Sequence, residues 1–126
     1  MQSDRFSKRM PLELLCLSLL KERDMYGYEM VQTIEERSDK LLSVSITTLY
    51  VVLRKMCEKG YISVHYLDAA FTRERLRLYY HYETSSDLYL AQLRDEYEKT
   101  TRGVERFFAS NGENKKDAST NIGRGS

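Results

Sequence analysis

The sequence predicts a mainly α fold with a small antiparallel β-hairpin and a long C-terminal helix. Three observations carry that expectation. Four separate segments read as helices, one apolar almost all round and the others with apolar residues along one face. Between the third and the fourth, two short stretches alternate apolar and polar residues at the period of a strand. The last segment keeps a heptad seam, with Leu90, Leu93, Tyr97, Thr100, Val104 and Phe107 spaced three, four, three, four, three.

A chain of 126 residues with 41% hydrophobic residues buries one modest core. The pattern divides into a helical and hairpin domain over 1–83, a helix over 84–110 and a tail over 111–126. The tail is polar, rich in Gly, Ser and Asn, and is expected to be disordered. A formal net charge of +1 excludes a blanket attraction to nucleic acid or to an anionic membrane. Any such partner must meet a locally clustered patch. Cys16 and Cys57 each sit inside an apolar helical pattern with no second ligand at metal-site spacing, so they read as reduced core residues. The apolar run around "LLCLSLL" is too short to span a bilayer, and the expectation is a cytoplasmic protein with no membrane partner, no metal and no cofactor.

The elements follow in order. In "MPLELLCLSLLKERDMYGYEM", Pro11 stands where the first position of a helix tolerates proline, and the run after it is apolar almost all round, which describes a buried helix. Asp24 to Gly27 break that pattern. "YEMVQTIEERSDK" then places Met30, Val31 and Ile34 on one face against a charged opposite face. In "SVSITTLYVVLRKMCEKGY", Ser45 is the expected N-cap, Leu49, Val52, Leu53 and Met56 form the apolar stripe, and Gly60 suits a left-handed stop. The other face of this third helix carries Thr47, Thr48, Val51, Arg54 and Lys55, with Tyr50 at the boundary.

In "YISVHYL", Ile62, Val64 and Tyr66 alternate with Tyr61, Ser63 and His65. After a short connection, "TRERLRLYYHY" sets Arg73, Arg75 and Arg77 on one face of a strand and Leu76, Leu78, Tyr80 and Tyr82 on the other. An antiparallel hairpin with both apolar sides toward the helices accommodates the two stretches. On the last helix, Asp95 with Lys99 and Glu98 with Arg102 are acid-first pairs one turn apart, each worth about 0.2–0.5 kcal/mol.

Three helices followed by a hairpin is the order of a winged helix-turn-helix, whose third helix enters the DNA major groove while the hairpin lies along the backbone. Six basic residues (Arg54, Lys55, Lys59, Arg73, Arg75, Arg77) against three acidic ones (Glu58, Asp68, Glu74) between Arg54 and Tyr82 put positive charge where that fold meets DNA. Alternating arginines also protect an exposed strand edge, and that reading stands beside the first. Thr47, Thr48 and Val51 lie toward the end of the helix that reaches base edges, and Arg54 and Lys55 suit either guanine or phosphate.

"LELLCLSLLKERDMYGYEM", "SITTLYVVLRKMCEKGYI" and "LYYHYET" together resemble the PadR-like transcriptional regulators, over about Pro11 to Phe108. The first is similar to the family's opening helices with their "YGYE" element, the second to its recognition helix and the third to the closing strand of its wing. Thr47 and Val51 replace a small residue and a proline usual in the family, and "ETSSD" replaces its usual approach to the last helix. The resemblance implies a homodimeric repressor of double-stranded DNA, with Ser45, Thr47, Thr48, Tyr50, Val51, Arg54, Lys55, Arg73, Arg75 and Arg77 at the DNA. It implies dimerisation through the C-terminal helix, as the heptad seam suggests independently, although such a stripe can also fold back on its own domain. It further implies a small-molecule effector, for which Tyr89, Tyr97, Phe107 and Phe108 are the candidate cavity residues.

An enzyme is the least favoured class, because His65 and His81 fall on outward strand positions with no nucleophile, carboxylate pair or phosphate loop at a working spacing. The rival to a DNA reader is a winged-helix adapter that binds protein and ignores DNA. Loss of affinity with salt separates the two.

Overall fold

The computed structural model describes residues 9–66 and 78–110. Arg73, Arg75, Leu76 and Arg77 lie outside the described residues, as does the tail over 111–126. The elements are α1 (Arg9–Glu22), β1 (Met25–Tyr26), α2 (Gly27–Arg37), α3 (Ile46–Glu58), β2 (Ile62–Tyr66), β3 (Leu78–Tyr82) and α4 (Asp87–Ala109), with a 3₁₀ turn over Thr84–Ser86 before α4. They fall into two compact units, Lys8–Leu93 and one that holds α4 from Arg94 onward.

The core of the first unit is the apolar stripe of each element brought to one place. Leu12, Cys16, Leu17, Leu19 and Leu20 of α1, Met30 and Ile34 of α2, and Leu49, Val52, Leu53 and Met56 of α3 are buried. Ile62 of β2 and Tyr80 and Tyr82 of β3 close it from the sheet side, with Val64 and Leu78 packed against it, all five at positions that the alternation predicts to face inward. Cys16 is fully buried and free, and burial pushes its thiol up to about 12. Cys57 is half-buried and also free.

Two details differ from the sequence reading. The predicted hairpin is the larger part of a three-stranded antiparallel sheet in the order β1-β3-β2. β2 pairs with β3 from Ile62 opposite Tyr82 to Tyr66 opposite Leu78, and β1 adds Met25 opposite Tyr80 and Tyr26 opposite Tyr79. A strand of two residues is too short to show alternation, and its pairing is dictated by the free edge of β3. The second difference is that α1 already includes Arg9 and Met10, so helical residues precede Pro11.

The connection from α2 to α3 is tight. Asp39 and Lys40 both hold left-handed backbone, at φ 55° and 66°. Ser38 ties the turn by accepting the Leu42 N–H at its Oγ, 3.0 Å away. At the far end of α3, Gly60 has φ +82°, the left-handed stop expected of it. A two-armed ion pair joins the ends of α1 and α2, both guanidinium arms of Arg37 lying 2.9 Å from the carboxylate of Glu22. That hydrogen bond, with the positive charge of Arg37 behind it, holds the Glu22 carboxyl below its ordinary range.

In the second unit, α4 exposes Tyr97, Val104, Phe107 and Phe108, with the rings of Phe107 and Phe108 edge-to-face at 5.4 Å. Lys99 pairs with Asp95 at 3.3 Å, one of the two pairs expected on this helix.

Candidate nucleic-acid interface

α3 is built with two faces that share no residue. Its apolar stripe is sealed in the core, while Thr47, Thr48, Tyr50, Val51 and Arg54 are exposed and Lys55 is half-buried. The helix starts at Ser45, whose backbone is extended and whose Oγ accepts the Thr48 N–H at 3.1 Å. The Ser45 hydroxyl also donates to Thr48 Oγ1 at 2.9 Å. This cap fixes the first turn and sets Thr47 and Thr48 at the positive end of the helix dipole, the end favourable to an anion such as phosphate. Arg54 approaches Glu58 only to 4.0 Å, with both side chains about two-thirds exposed. An ion pair that open is worth little and leaves the guanidinium able to turn toward a polyanion.

Tyr50 is positioned by a glycine. A Cβ placed at Gly27 would stand 2.8 Å from both Cε1 and the hydroxyl oxygen of Tyr50. The phenol ring therefore lies across the first residue of α2, 42% exposed, where only a residue without a side chain lets it settle. Neighbouring Tyr28 is exposed as well.

The outward side of the sheet carries Tyr26 edge-on to Tyr79 at 5.3 Å and His65 edge-on to His81 at 5.2 Å. His81 Nδ1 lies 2.8 Å from Asp24 Oδ1, which ties β3 to the segment before β1. Beside the N-terminus of α3, a shallow apolar groove of about 240 Å³ runs between Pro11, Leu12 and Leu15 on α1 and Leu42, Ser43, Val44, Ser45 and Thr48. Among the described residues, no group of three or more His, Cys, Asp or Glu is placed to hold a metal ion, and no helix is long and apolar enough to cross a membrane.

The remaining candidates are dispersed. Leu93 is buried in the core of the first unit and Leu90 packs against it, so the open part of the seam is Tyr97, Val104 and Phe107, with Thr100 half-buried. Tyr89 is stacked on Tyr61 with ring centroids 4.1 Å apart, and its hydroxyl donates to Glu13 Oε1.

The description "Transcriptional regulator PadR-like family" belongs to the family whose sequence model matches residues 16–92. The chain belongs to the PadR-like family. A solved transcriptional regulator from Clostridium thermocellum is 31% identical to this PadR-like chain, with a TM-score of 0.71 over 79% of this chain and 94% of the other. A PadR family transcriptional regulator from Eggerthella lenta has the same fold at 22% identity, with a TM-score of 0.67 over 79% and 83% of the two chains. An uncharacterized protein from Lysinibacillus sphaericus is 29% identical over 76% of the PadR-like chain and 86% of its own length. The three helices and sheet described above are thus the winged helix of a transcriptional regulator.

Sequence reasoning missed three contacts. It took Gly27 only as part of a pattern break and a family element, although its place beside an aromatic-rich helix start signals close packing. It passed over Glu13, which is only 5% exposed within the apolar run of α1. It placed His81 at an outward position without a partner, since Asp24 is far away in sequence and nothing local connects them.

Proposed function

We propose that the protein is a homodimeric repressor that binds a pseudo-palindromic DNA operator, with the N-terminal half of α3 in the major groove and the wing on the phosphate backbone. The observation that carries this reading is the division of α3. A helix held by four buried residues presents hydroxyl, methyl and positive groups to solvent from a capped N-terminus. Those groups suit base edges and phosphates.

In this reading Thr47, Thr48 and Val51 meet base edges, Ser45 and Tyr50 meet the backbone, and Arg54 and Lys55 serve at either. Arg73, Arg75 and Arg77 hold phosphates from the wing, on the strength of their alternation in sequence. The exposed Tyr97, Val104 and Phe107 of α4 are supporting evidence for dimerisation through that helix. A two-fold dimer holds its recognition helices about 34 Å apart, one turn of DNA, which is why the operator is pseudo-palindromic. Release by a small-molecule effector completes the proposal, with Tyr89, Tyr97, Phe107 and Phe108 as its candidate contacts. Such a molecule acts by binding two helix spacings unequally.

The test uses two substitutions. Thr48→Ala is expected to alter base preference more than general affinity. Arg75→Ala is expected to weaken binding to every sequence and to flatten the slope of log affinity against log salt by about 0.9, the value of one phosphate contact. Absence of DNA binding by the wild-type protein at physiological salt would instead favour the protein-binding adapter.

A further inference from the structure

The chain contains two histidines, His65 and His81, and the fold brings them together. His65 lies on β2 opposite Tyr79 and His81 on β3 opposite Ser63, so the two are diagonal neighbours on the outward face of the sheet. Their ring centroids are 5.2 Å apart with the planes nearly perpendicular, at 87°. Edge-on packing alone does not call for histidine, since Tyr26 and Tyr79 make the same kind of contact on this face. Asp24 adds a second observation. Its Oδ1 lies 2.8 Å from His81 Nδ1, and because an ionised carboxylate only accepts, Nδ1 carries the proton of that hydrogen bond. A neutral His81 therefore keeps a bare lone pair on Nε2. A carboxylate on one imidazole nitrogen with the other nitrogen bare is the arrangement that orients a metal-binding histidine and raises its basicity.

We infer that His65 and His81 form a binding site for a divalent first-row transition ion of the zinc type, with Asp24 as the positioning carboxylate. Two imidazole nitrogens each about 2.0–2.1 Å from one tetrahedral ion set their ring centres roughly 5 Å apart, which is the separation found. His65 is exposed, and flipping its ring about the last side-chain bond offers either nitrogen. The side chains of His81 and Asp24 are both 45% exposed, so the ion reaches the pair from solvent and keeps water at its remaining positions. With two protein ligands the site is exchangeable, unlike the closed four-ligand sites that hold a structural ion. Imidazole nitrogen selects zinc, nickel or copper over the oxygen-seeking magnesium and calcium. The bound ion joins β2 to β3, the strands on either side of the segment 67–77. The two nitrogens meet only in the folded sheet, so binding stabilises it. This site is independent of the DNA-binding function proposed above.

The test is calorimetric titration of Zn²⁺ into the untagged full-length protein, with proton NMR of the ring signals of the two histidines and thermal denaturation alongside. Saturable binding is expected to shift the ring signals of both histidines and to raise Tm, while Mg²⁺ does neither. His65→Ala and His81→Ala, each checked for wild-type helix content by circular dichroism, are expected to abolish saturable binding over the same concentration range. Asp24→Ala leaves both ligands in place and is expected to weaken binding by about tenfold or more, through lost orientation and basicity. Binding is also expected to weaken in acid, where protons compete for both nitrogens. Absence of saturable Zn²⁺ binding by the wild type would overturn the inference. Wild-type affinity in either folded histidine variant would overturn it as well, by placing the ion elsewhere, and wild-type affinity in Asp24→Ala would strike Asp24 from the site.

Discussion

Replacing Ser45 separates the stability of α3 from its use. Its Oγ accepts the Thr48 N–H at 3.1 Å, so Ser45→Ala leaves that donor without its cap. The lost cap costs about 1 kcal/mol, within a usual range of about 0.5–2 kcal/mol. The Thr48 hydroxyl, which also loses a partner, is exposed and turns to water at little further cost. In a domain of this size, 1 kcal/mol lowers Tm by about 4–8 °C. Ser45→Asp accepts the same N–H and places its charge at the favourable end of the dipole, so its Tm is expected close to wild type. On the proposed interface, however, that carboxylate faces phosphate. Juxtaposed like charges cost several kcal/mol, and affinity for DNA is expected to fall by about tenfold or more. Thermal denaturation followed by circular dichroism, beside fluorescence anisotropy on labelled duplex, reads both effects. Unchanged Tm in Ser45→Ala would remove the cap from the account. Unchanged DNA affinity in folded Ser45→Asp would place the N-terminus of α3 away from the DNA.

Three further outcomes follow from the geometry. Gly27→Ala pushes a methyl group against the end of the Tyr50 ring, a side chain free to swing outward, so Tm should change little while DNA affinity falls as it does in Tyr50→Ala; a lower Tm with unaltered affinity would confine the contact to packing. Lys40→Gly relieves a left-handed residue at φ 66° and is expected to stabilise by roughly 0.5–1 kcal/mol in urea denaturation, with loss of stability refuting strain in that turn. Burial, with smaller contributions from Tyr50 and Cys57, pushes the Tyr80 hydroxyl up to about 12. Because its folded value is raised, the stability it contributes is full below about pH 10 and is lost as pH rises from there toward 12. Tyr80→Phe should therefore move the alkaline unfolding midpoint upward, and a midpoint unmoved would show that Tyr80 ionises without penalty.

The fold was legible wherever a segment carried its own period. α3 is the clearest case, with the cap at Ser45, the stripe from Leu49 to Met56 and the stop at Gly60 each signalled within its own sequence and each found. β1 was not legible, since Met25 and Tyr26 become a strand only because β3 offers an unpaired edge. The interface was half legible. Which residues of α3 face outward follows from periodicity, but the seat of Tyr50 depends on Gly27, an approach across two helices that no local pattern encodes. The same holds for Glu13 and Tyr89, one in the first helix and one in the last, whose hydrogen bond exists only once the core has formed. Leu93 shows the converse limit, because a heptad stripe marks an apolar face without saying which neighbour it packs against.

The central claim is that the exposed face of α3 reads DNA. Its most direct test is fluorescence anisotropy of the purified protein on the DNA upstream of its own gene and on a scrambled duplex, each titrated across salt concentration. The account predicts preference for the upstream duplex by about a hundredfold or more, with affinity falling steeply as salt rises. Equal and weak binding to both duplexes, insensitive to salt, would contradict it.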